Sequence, residues 1–393
     1  MKIALLSEKY TPDIGGLAIS TGRLSHLLSC AGHEVRVFAP TSNLLPSEKQ
    51  TLPSNGVSVT RFGAHKRVDD TLVDWFELII EEHKREPFDV LQAYFLPQAG
   101  FIATYAGKYL NIPSVVSIRG NDIERAAFDP AKFSHVMYAL QNANAVTTNT
   151  NELAKKAKVF IDREVVVIPN GIDVNLFKPM EKNPTLAESL RLTIREPESA
   201  LTDNRRQAVE LQSNPVIGFA GELREKKGLK TLLSAYAQIN KKRSATLLIV
   251  GEVRKGEDQQ IFDGFQTAIP SSRIIVTGHI SHKNMPAYYA LMDVFVHPSL
   301  RDGMPNALLE AMACEKAIVV TPVGGVLEAI EDAENGKIVP VNDIDALTKT
   351  IEELLDNSNL RKQLGKSARE TVQDRFTLEK ELAENLAIYR KLE

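Results

Sequence analysis

Short apolar runs separated by longer amphipathic segments recur along the whole chain, the pattern of strands buried on both faces of parallel sheets and joined by covering helices. In the first half, Ile3–Leu6, Glu34–Ala39, Val57–Phe62, Val90–Ala93, Ser114–Ile118, Ala145–Thr148 and Val165–Ile168 read as strands, with Ile19–Cys30 and Leu72–Lys84 among the helices between them. The same rhythm restarts with Val216–Ala220, Thr246–Val250, Arg273–Thr277, Val294–His297 and Ala317–Thr321. Two doubly wound α/β domains are therefore expected.

Between the two halves, Lys178–Asn214 is polar, rich in Glu, Arg, Ser and Asn, and punctuated by Pro179, Pro184 and Pro197. It reads as a hinge with a surface excursion. The expected division is a first domain over residues 1–178, a linker over 179–214, a second domain over 215–374 and a C-terminal helix over 375–393 that packs back on the first domain. A ligand cleft is expected at the seam. From Asp345 onward the composition is helical, with breaks near Asn357–Asn359 and Asp374–Thr377. A length of 393 residues agrees with two domains, being more than one hydrophobic core usually supports.

Composition narrows the class. Hydrophobic residues at 43% and charged residues at 25% are those of an ordinary globular protein. The balance of 47 basic against 50 acidic side chains leaves a net charge of -3, which argues against a nucleic-acid partner. Cys30 and Cys314 lie far apart without disulfide or metal spacing, so both are expected to be buried small hydrophobes in a reducing compartment. The opening apolar run, Met1 to Leu6, is too short for a secretion signal and is followed by Glu8 and Lys9. No run of about 18 apolar residues offers a membrane span. A cytoplasmic location is expected, with peripheral contact at the inner face of the plasma membrane left open.

In open parallel sheets, ligands bind beyond the carboxyl ends of the strands, so the loops there are the places to look for chemistry. The first, Tyr10 to Gly16, ends in paired glycines that either let backbone approach a ligand or serve turn geometry alone. In the second domain, Gly221-Glu222-Leu223-Arg224-Glu225-Lys226-Lys227-Gly228 sets three cations between two glycines. It suits a diphosphate, or it is a solvated basic loop. The segment His297 to Ala313 contains Pro305, suited to the first turn of a helix, and a helix starting there would aim backbone N–H groups of Gly303 to Ala307 at a ligand. Asp302 precedes that helix, and Glu310, one to two turns in, offers two oxygens to a ribose diol. Without context the better reading makes Asp302 a helix-start acid and Glu310 a solvated surface residue.

Other patterns lead nowhere. Asp343-Ile344-Asp345 reads as a helix cap rather than a metal-binding D-x-D. Gly251 to Gly256 has P-loop glycine spacing but continues Glu257-Asp258. His279 and His282 lack further ligands for zinc.

Taken together, these segments resemble family 4 of the retaining glycosyltransferases, whose E-x7-E region runs roughly E-G-x-P-x-x-x-L-E-A-M-A; here it reads Asp302-Gly303-Met304-Pro305-Asn306-Ala307-Leu308-Leu309-Glu310-Ala311-Met312-Ala313. Ile118-Arg119-Gly120-Asn121-Asp122 resembles the family's H-G-x-D, and Pro169-Asn170-Gly171-Ile172-Asp173 with Phe177 and Pro179 resembles its P-N-G-I-D-x-x-x-F-x-P. The resemblance covers essentially the whole chain. It implies the GT-B fold, two Rossmann-like doubly wound domains facing a central cleft, the first taking the acceptor.

By the same resemblance, Glu310 binds the nucleotide ribose and Asp302 contacts the transferred sugar together with Gly303, Met304, Pro305 and Asn306. Ala307 and Leu308 complete that donor-binding turn. Lys227 grips the diphosphate, Gly278 and Ile280 lie against the base, and Gly16 belongs to the acceptor-side glycine loop near the donor. Gly324-Gly325 with Glu328 resembles a structural G-G-x-x-E turn. Three departures stand out: Asp302 where the family has Glu, Arg119 where it has His, and Glu222 where it has Arg, which leaves Arg224 as the second cation.

The implied activity is transfer of a hexose-type sugar from a nucleotide diphosphate sugar, UDP favoured over GDP. The acceptor is a hydroxyl on a glycan, a lipid-linked or a small-molecule substrate, and transfer proceeds by a metal-independent front-face mechanism. No cofactor is implied, the nucleotide sugar being a co-substrate. Two rival readings are a catalytically silent nucleotide-sugar-binding protein and another GT-B enzyme such as a sugar-nucleotide epimerase.

Overall fold

The structure is a computed structural model that describes residues 1–13, 15–192 and 214–392. It divides into two compact units, Met1–Gly171 with Leu378–Glu393, and Ile172–Thr377.

The first unit is built on an eight-stranded sheet. Its strands are β1 (Lys2–Ser7), β2 (Glu34–Pro46), β3 (Lys49–Ser54), β4 (Val57–Gly63), β5 (Val90–Tyr94), β6 (Ser114–Ile118), β7 (Ala145–Thr148) and β8 (Val166–Val167). They lie in the order β3-β4-β2-β1-β5-β6-β7-β8. All pairs are parallel except β3 with β4, a hairpin that the hydrophobic pattern does not predict. The reason lies in its sequence, Lys-Gln-Thr-Leu-Pro-Ser, which is mostly exposed at the sheet edge and carries no apolar run. The chain winds outward from β1 in one direction and from β5 in the other, so the switch point falls between these two strands.

The second unit carries β9 (Val216–Ala220), β10 (Thr246–Val250), β11 (Arg273–Val276), β12 (Val294–His297), β13 (Ala317–Val320) and β14 (Lys337–Ile338), all parallel, in the order β11-β10-β9-β12-β13-β14. Its switch point lies between β9 and β12. β14, only two residues long, is too short to leave a periodic signal.

Residues 172–178, expected in the first domain, pack in the second unit: Phe177 is fully buried there and meets Tyr289 edge-on at 6.2 Å. Within the expected linker, Pro184–Ser189 forms a short helix capped by Asn183, whose Oδ1 accepts from the Leu186 N–H at 3.1 Å. The rest of the expected surface excursion, 193–213, lies outside the described residues.

The final helix, Leu378–Leu392, belongs to the first unit. Its Glu381 is buried and takes a bidentate pair from Arg23, Nε at 2.6 Å and NH2 at 3.0 Å, while the Gly171 N–H donates to Oε2 at 3.0 Å. Tyr389, also buried, donates to Gln92 of β5 at 3.1 Å. A buried carboxylate with this many donors is satisfied, and removing its partner would strand a charge.

Of the two cysteines expected to be buried, only Cys314 is. Cys314 is buried, and burial pushes its thiol up to about 12, whereas Cys30 is exposed at the end of the helix Gly16–Cys30. Among the described residues no helix is long and apolar enough to cross a membrane.

Candidate active site

At the carboxyl ends of the second sheet, three glycines interlock the loops. The Gly221 N–H donates to Val250 O (2.9 Å) and the Gly278 N–H to Gly251 O (3.0 Å). A Cβ on Gly251 would come within 2.3 Å of Gly221 O, so backbone approaches here as only glycine permits. The loop after β9 then makes a short turn, Glu225–Lys227, ending on Gly228 at φ 80°. Its missing Cβ leaves room for the carbonyl oxygen of Pro298, 2.1 Å from where that atom would sit, and the Leu300 N–H donates to Lys226 O at 2.9 Å. These contacts bring the basic loop against the segment after β12.

The result is a cluster the sequence did not reveal. Lys227 Nζ contacts Asp302 Oδ2, and His297 Nε2 reaches the same oxygen at 2.9 Å. Burial works to raise the Asp302 carboxyl, but the charge of Lys227 and the hydrogen bond from His297 outweigh it and hold it well below the usual carboxylate range. Burial lowers the imidazole of His297, keeping it neutral. An ionised carboxylate only accepts, so the proton of this neutral ring sits on Nε2. Ser299 Oγ, 2.9 Å from the same nitrogen, completes the arrangement.

Backbone pins this cluster as well. Asp302 Oδ1 accepts from the Gly303 N–H at 3.0 Å, and Gly303 O accepts from Gly325 at 2.9 Å. Gly324, at φ 58°, passes so close to Asp302 O that a Cβ would lie 2.0 Å from it.

The helix expected to start at Pro305 runs over Asn306–Ala313, with Pro305 as its cap at φ −75°, ψ 115°. Pro305 has no N–H and that of Gly303 is held by Asp302, so the expected fan of N–H groups from Gly303 to Ala307 is reduced. Met304 and Leu308 bury their side chains in the core.

Glu310 is 5% exposed and is no surface residue. Its Oε2 accepts from the Tyr289 hydroxyl at 2.8 Å, and its Oε1 lies 3.0 Å from His282 Nε2. Burial, reinforced by the Glu310 charge, raises the Tyr289 hydroxyl well above its usual value, so it remains a donor. Neither partner was foreseen. Tyr289 lies in a largely apolar helix, Met285–Leu291, and His282 drew notice only for its spacing from His279. Tyr289 also contacts Ala307 O at 3.3 Å, and the half-exposed ring of His282 packs on Phe177 at 5.0 Å. Ile280 packs beside the same core, and Gly278, at φ 72°, has open space where a Cβ would be.

Arg224 is held otherwise than as a free second cation: its NH1 pairs with Glu222 at 3.2 Å, and its Nε is buried without a partner. Asp343 is a helix cap, accepting from the Ala346 N–H at 2.8 Å.

Gly16 and Arg119 lie in the first unit. Gly16 opens its helix after Gly15, whose φ of 130° requires glycine, and both have open space beside them. Arg119 follows β6, stacks over Tyr94 at 3.6 Å and donates from NH1 to Asn170 at 3.0 Å.

Two doubly wound domains, with acid and cation gathered at the strand ends of the second, define a glycosyltransferase of the GT-B fold. Two family models match in tandem, Glycosyltransferase Family 4 over residues 14–176 and Glycosyl transferases group 1 over 202–371. The chain is a glycosyltransferase of this group 1 kind. Among solved structures it is similar to the sucrose-phosphate synthase of Thermosynechococcus elongatus, with TM-score 0.80 and 22% identity over 100% of this chain and 98% of that one. HepE of Anabaena in complex with UDP gives TM-score 0.77 and 20% identity over all of both chains. Among curated relatives, the N-acetyl-alpha-D-glucosaminyl L-malate synthase of Bacillus anthracis is 22% identical over 96% of this chain and 94% of its own.

Proposed function

We propose that this glycosyltransferase moves a hexose-type sugar from a uridine diphosphate sugar to an acceptor hydroxyl, with retention of anomeric configuration and without a metal. The observation that carries the reading is the buried Glu310, whose two oxygens are oriented by Tyr289 and His282 in the same unit as Lys227. A ribose diol can take the place of the half-exposed His282 on Oε1 while Tyr289 keeps the carboxylate in position. HepE of Anabaena, solved with UDP and with UDP-glucose, supports the choice of uridine.

In this reading catalysis is electrostatic. Lys227 passes from Asp302 to the departing diphosphate and stabilises the charge growing there, aided by the start of the helix Asn306–Ala313. Asp302, one methylene shorter than the family's Glu and braced by neutral His297, holds Lys227 in place between turnovers. The leaving phosphate assists deprotonation of the acceptor hydroxyl on the same face of the sugar.

The test is a panel of UDP-, GDP- and ADP-sugars, read by thermal stabilisation and slow hydrolysis in the presence of a chelator. Glu310→Ala is expected to weaken every donor by about 2 kcal/mol, the worth of charge-assisted hydrogen bonds. Normal donor binding by that variant, or an inverted anomeric signal in the NMR spectrum of the product, would overturn the proposal.

A further inference from the structure

The first unit holds a cation whose partners are incomplete. Arg119 stands immediately after β6, at the carboxyl end of the sheet and one strand from the switch point between β1 and β5. Its guanidinium carbon lies over the Tyr94 ring, 3.6 Å from the centroid, and one donor, NH1, is held by Asn170 Oδ1 at 3.0 Å. Its Nε is buried with no hydrogen-bond partner. Among the described residues no carboxylate pairs with it.

The acids of this region are accounted for elsewhere. Glu381, close enough to act on Tyr94, is taken up by Arg23 and by the Gly171 N–H. Asp122 folds back on its own turn and accepts the N–H groups of Arg119 (3.0 Å), Gly120 (2.8 Å) and Ile123 (3.1 Å). Glu8, at the end of β1, accepts from the Gln98 N–H at 3.2 Å, and burial pushes its carboxyl up to about 7, which removes much of its charge at neutral pH.

A cation without a counter-charge is costly where it is half-buried, and an oxyanion would supply one. Gly120, next in sequence to Arg119 and at φ 121°, has nothing within 4 Å of where a Cβ would sit, and the same holds for Gly15 and Gly16 in the loop after β1. Held over Tyr94 and by Asn170, the planar guanidinium keeps its NH2 donor in a fixed direction, which a flexible lysine could not do.

We infer that Arg119 receives an oxyanion, a phosphate or a carboxylate, carried by the acceptor substrate, so that the enzyme selects acidic acceptors over neutral ones. The inference rests on the first unit being the acceptor-binding domain, but it is tested apart from the donor site.

Glucose 6-phosphate, glucuronate and glucose are titrated by calorimetry into the full-length wild type, Arg119→Lys and Arg119→Gln. One of the acidic sugars is expected to bind the wild type about tenfold more tightly than glucose, as a charge-assisted contact would give. Which of the two does so tells phosphate from carboxylate. The advantage should vanish in Arg119→Gln and shrink severalfold in Arg119→Lys, and the lysine variant carries the comparison if the glutamine variant does not fold. Equal or undetectable binding of all three sugars by the wild type overturns the inference, as does an advantage that survives in the variants. UDP titrated into the same preparations separates the two sites. In the wild type, an acid preference without UDP binding sinks the donor assignment alone, and UDP binding without an acid preference sinks this inference alone.

Discussion

Lys227 Nζ rests on Asp302 Oδ2, so the lysine of the basic loop after β9 is held by the carboxylate that precedes the helix Asn306–Ala313. Both side chains are largely buried, at 19% and 15% exposure, and the attraction is correspondingly less screened than on the surface. On the proposed reading, donor binding exchanges one anion for another at the same ammonium.

Asp302→Asn removes the competitor without changing shape. UDP is expected to bind roughly threefold or more tightly, since Lys227 no longer has to leave a carboxylate, while sugar transfer slows because nothing returns the lysine to register. Calorimetry and steady-state rates on the same preparation check both arms, and weaker UDP binding would show that Asp302 does not restrain Lys227.

Tyr289→Phe deletes one hydroxyl from beneath Glu310. The buried carboxylate then lacks a donor, a loss of about 1–3 kcal/mol. The melting temperature is expected to fall by a few degrees. An unchanged melting temperature would mean that other groups hold Glu310 in place.

Gly324→Ala and Gly264→Ala make a matched pair. At Gly324 a Cβ would strike Asp302 O at 2.0 Å from a left-handed backbone, so residues 302 and 303 must shift and transfer should fall by about tenfold or more. At Gly264, within the helix Glu257–Ala268, nothing lies within 4 Å, and alanine is expected to stabilise by up to about 1 kcal/mol. Equal effects of the two substitutions on activity would refute the close approach.

Glu8 supplies a pH test. Burial raises its carboxyl to about 7 in the folded state, above the usual value near 4.3 of an unfolded chain. The folded state thus binds the proton more tightly, and the contribution is fully present below about pH 4 and is lost as pH rises through 7. Glu8→Gln should therefore gain stability relative to the wild type between pH 5 and 8 in thermal melts. Asp122, raised by burial to about 6, titrates in the same sense, whereas His297, lowered by burial, loses its contribution as pH falls below about 6.5. A constant difference between the two proteins across that range would show that Glu8 is not shifted.

Most of the sheet framework could be read in advance because each central strand is an apolar run buried on both faces, which leaves a strong local signal. β3 leaves no such signal because it has no apolar face, and residues 172–177 join the second unit because Phe177 packs on His282 and Tyr289, more than a hundred positions away. The candidate site divides in the same way. Glu310 and Lys227 stand in motifs and could be named, but what holds them could not. Tyr289 and His282 lie 21 and 28 positions from Glu310, and His297 gains its meaning only when the turn at Gly228 brings Lys227 to Asp302.

The helix Leu378–Leu392 has a consequence for biosynthesis. The domain synthesised first lacks its last element until the second domain has emerged, so on the ribosome Arg23 waits without Glu381, and Gln92 without Tyr389. The second unit, in contrast, is continuous in sequence from Ile172 to Thr377. The order of completion thus reverses the order of translation, and a nascent chain that stalls short of Leu378 presents quality control with the whole sequence of the second unit and a first unit still lacking its last helix.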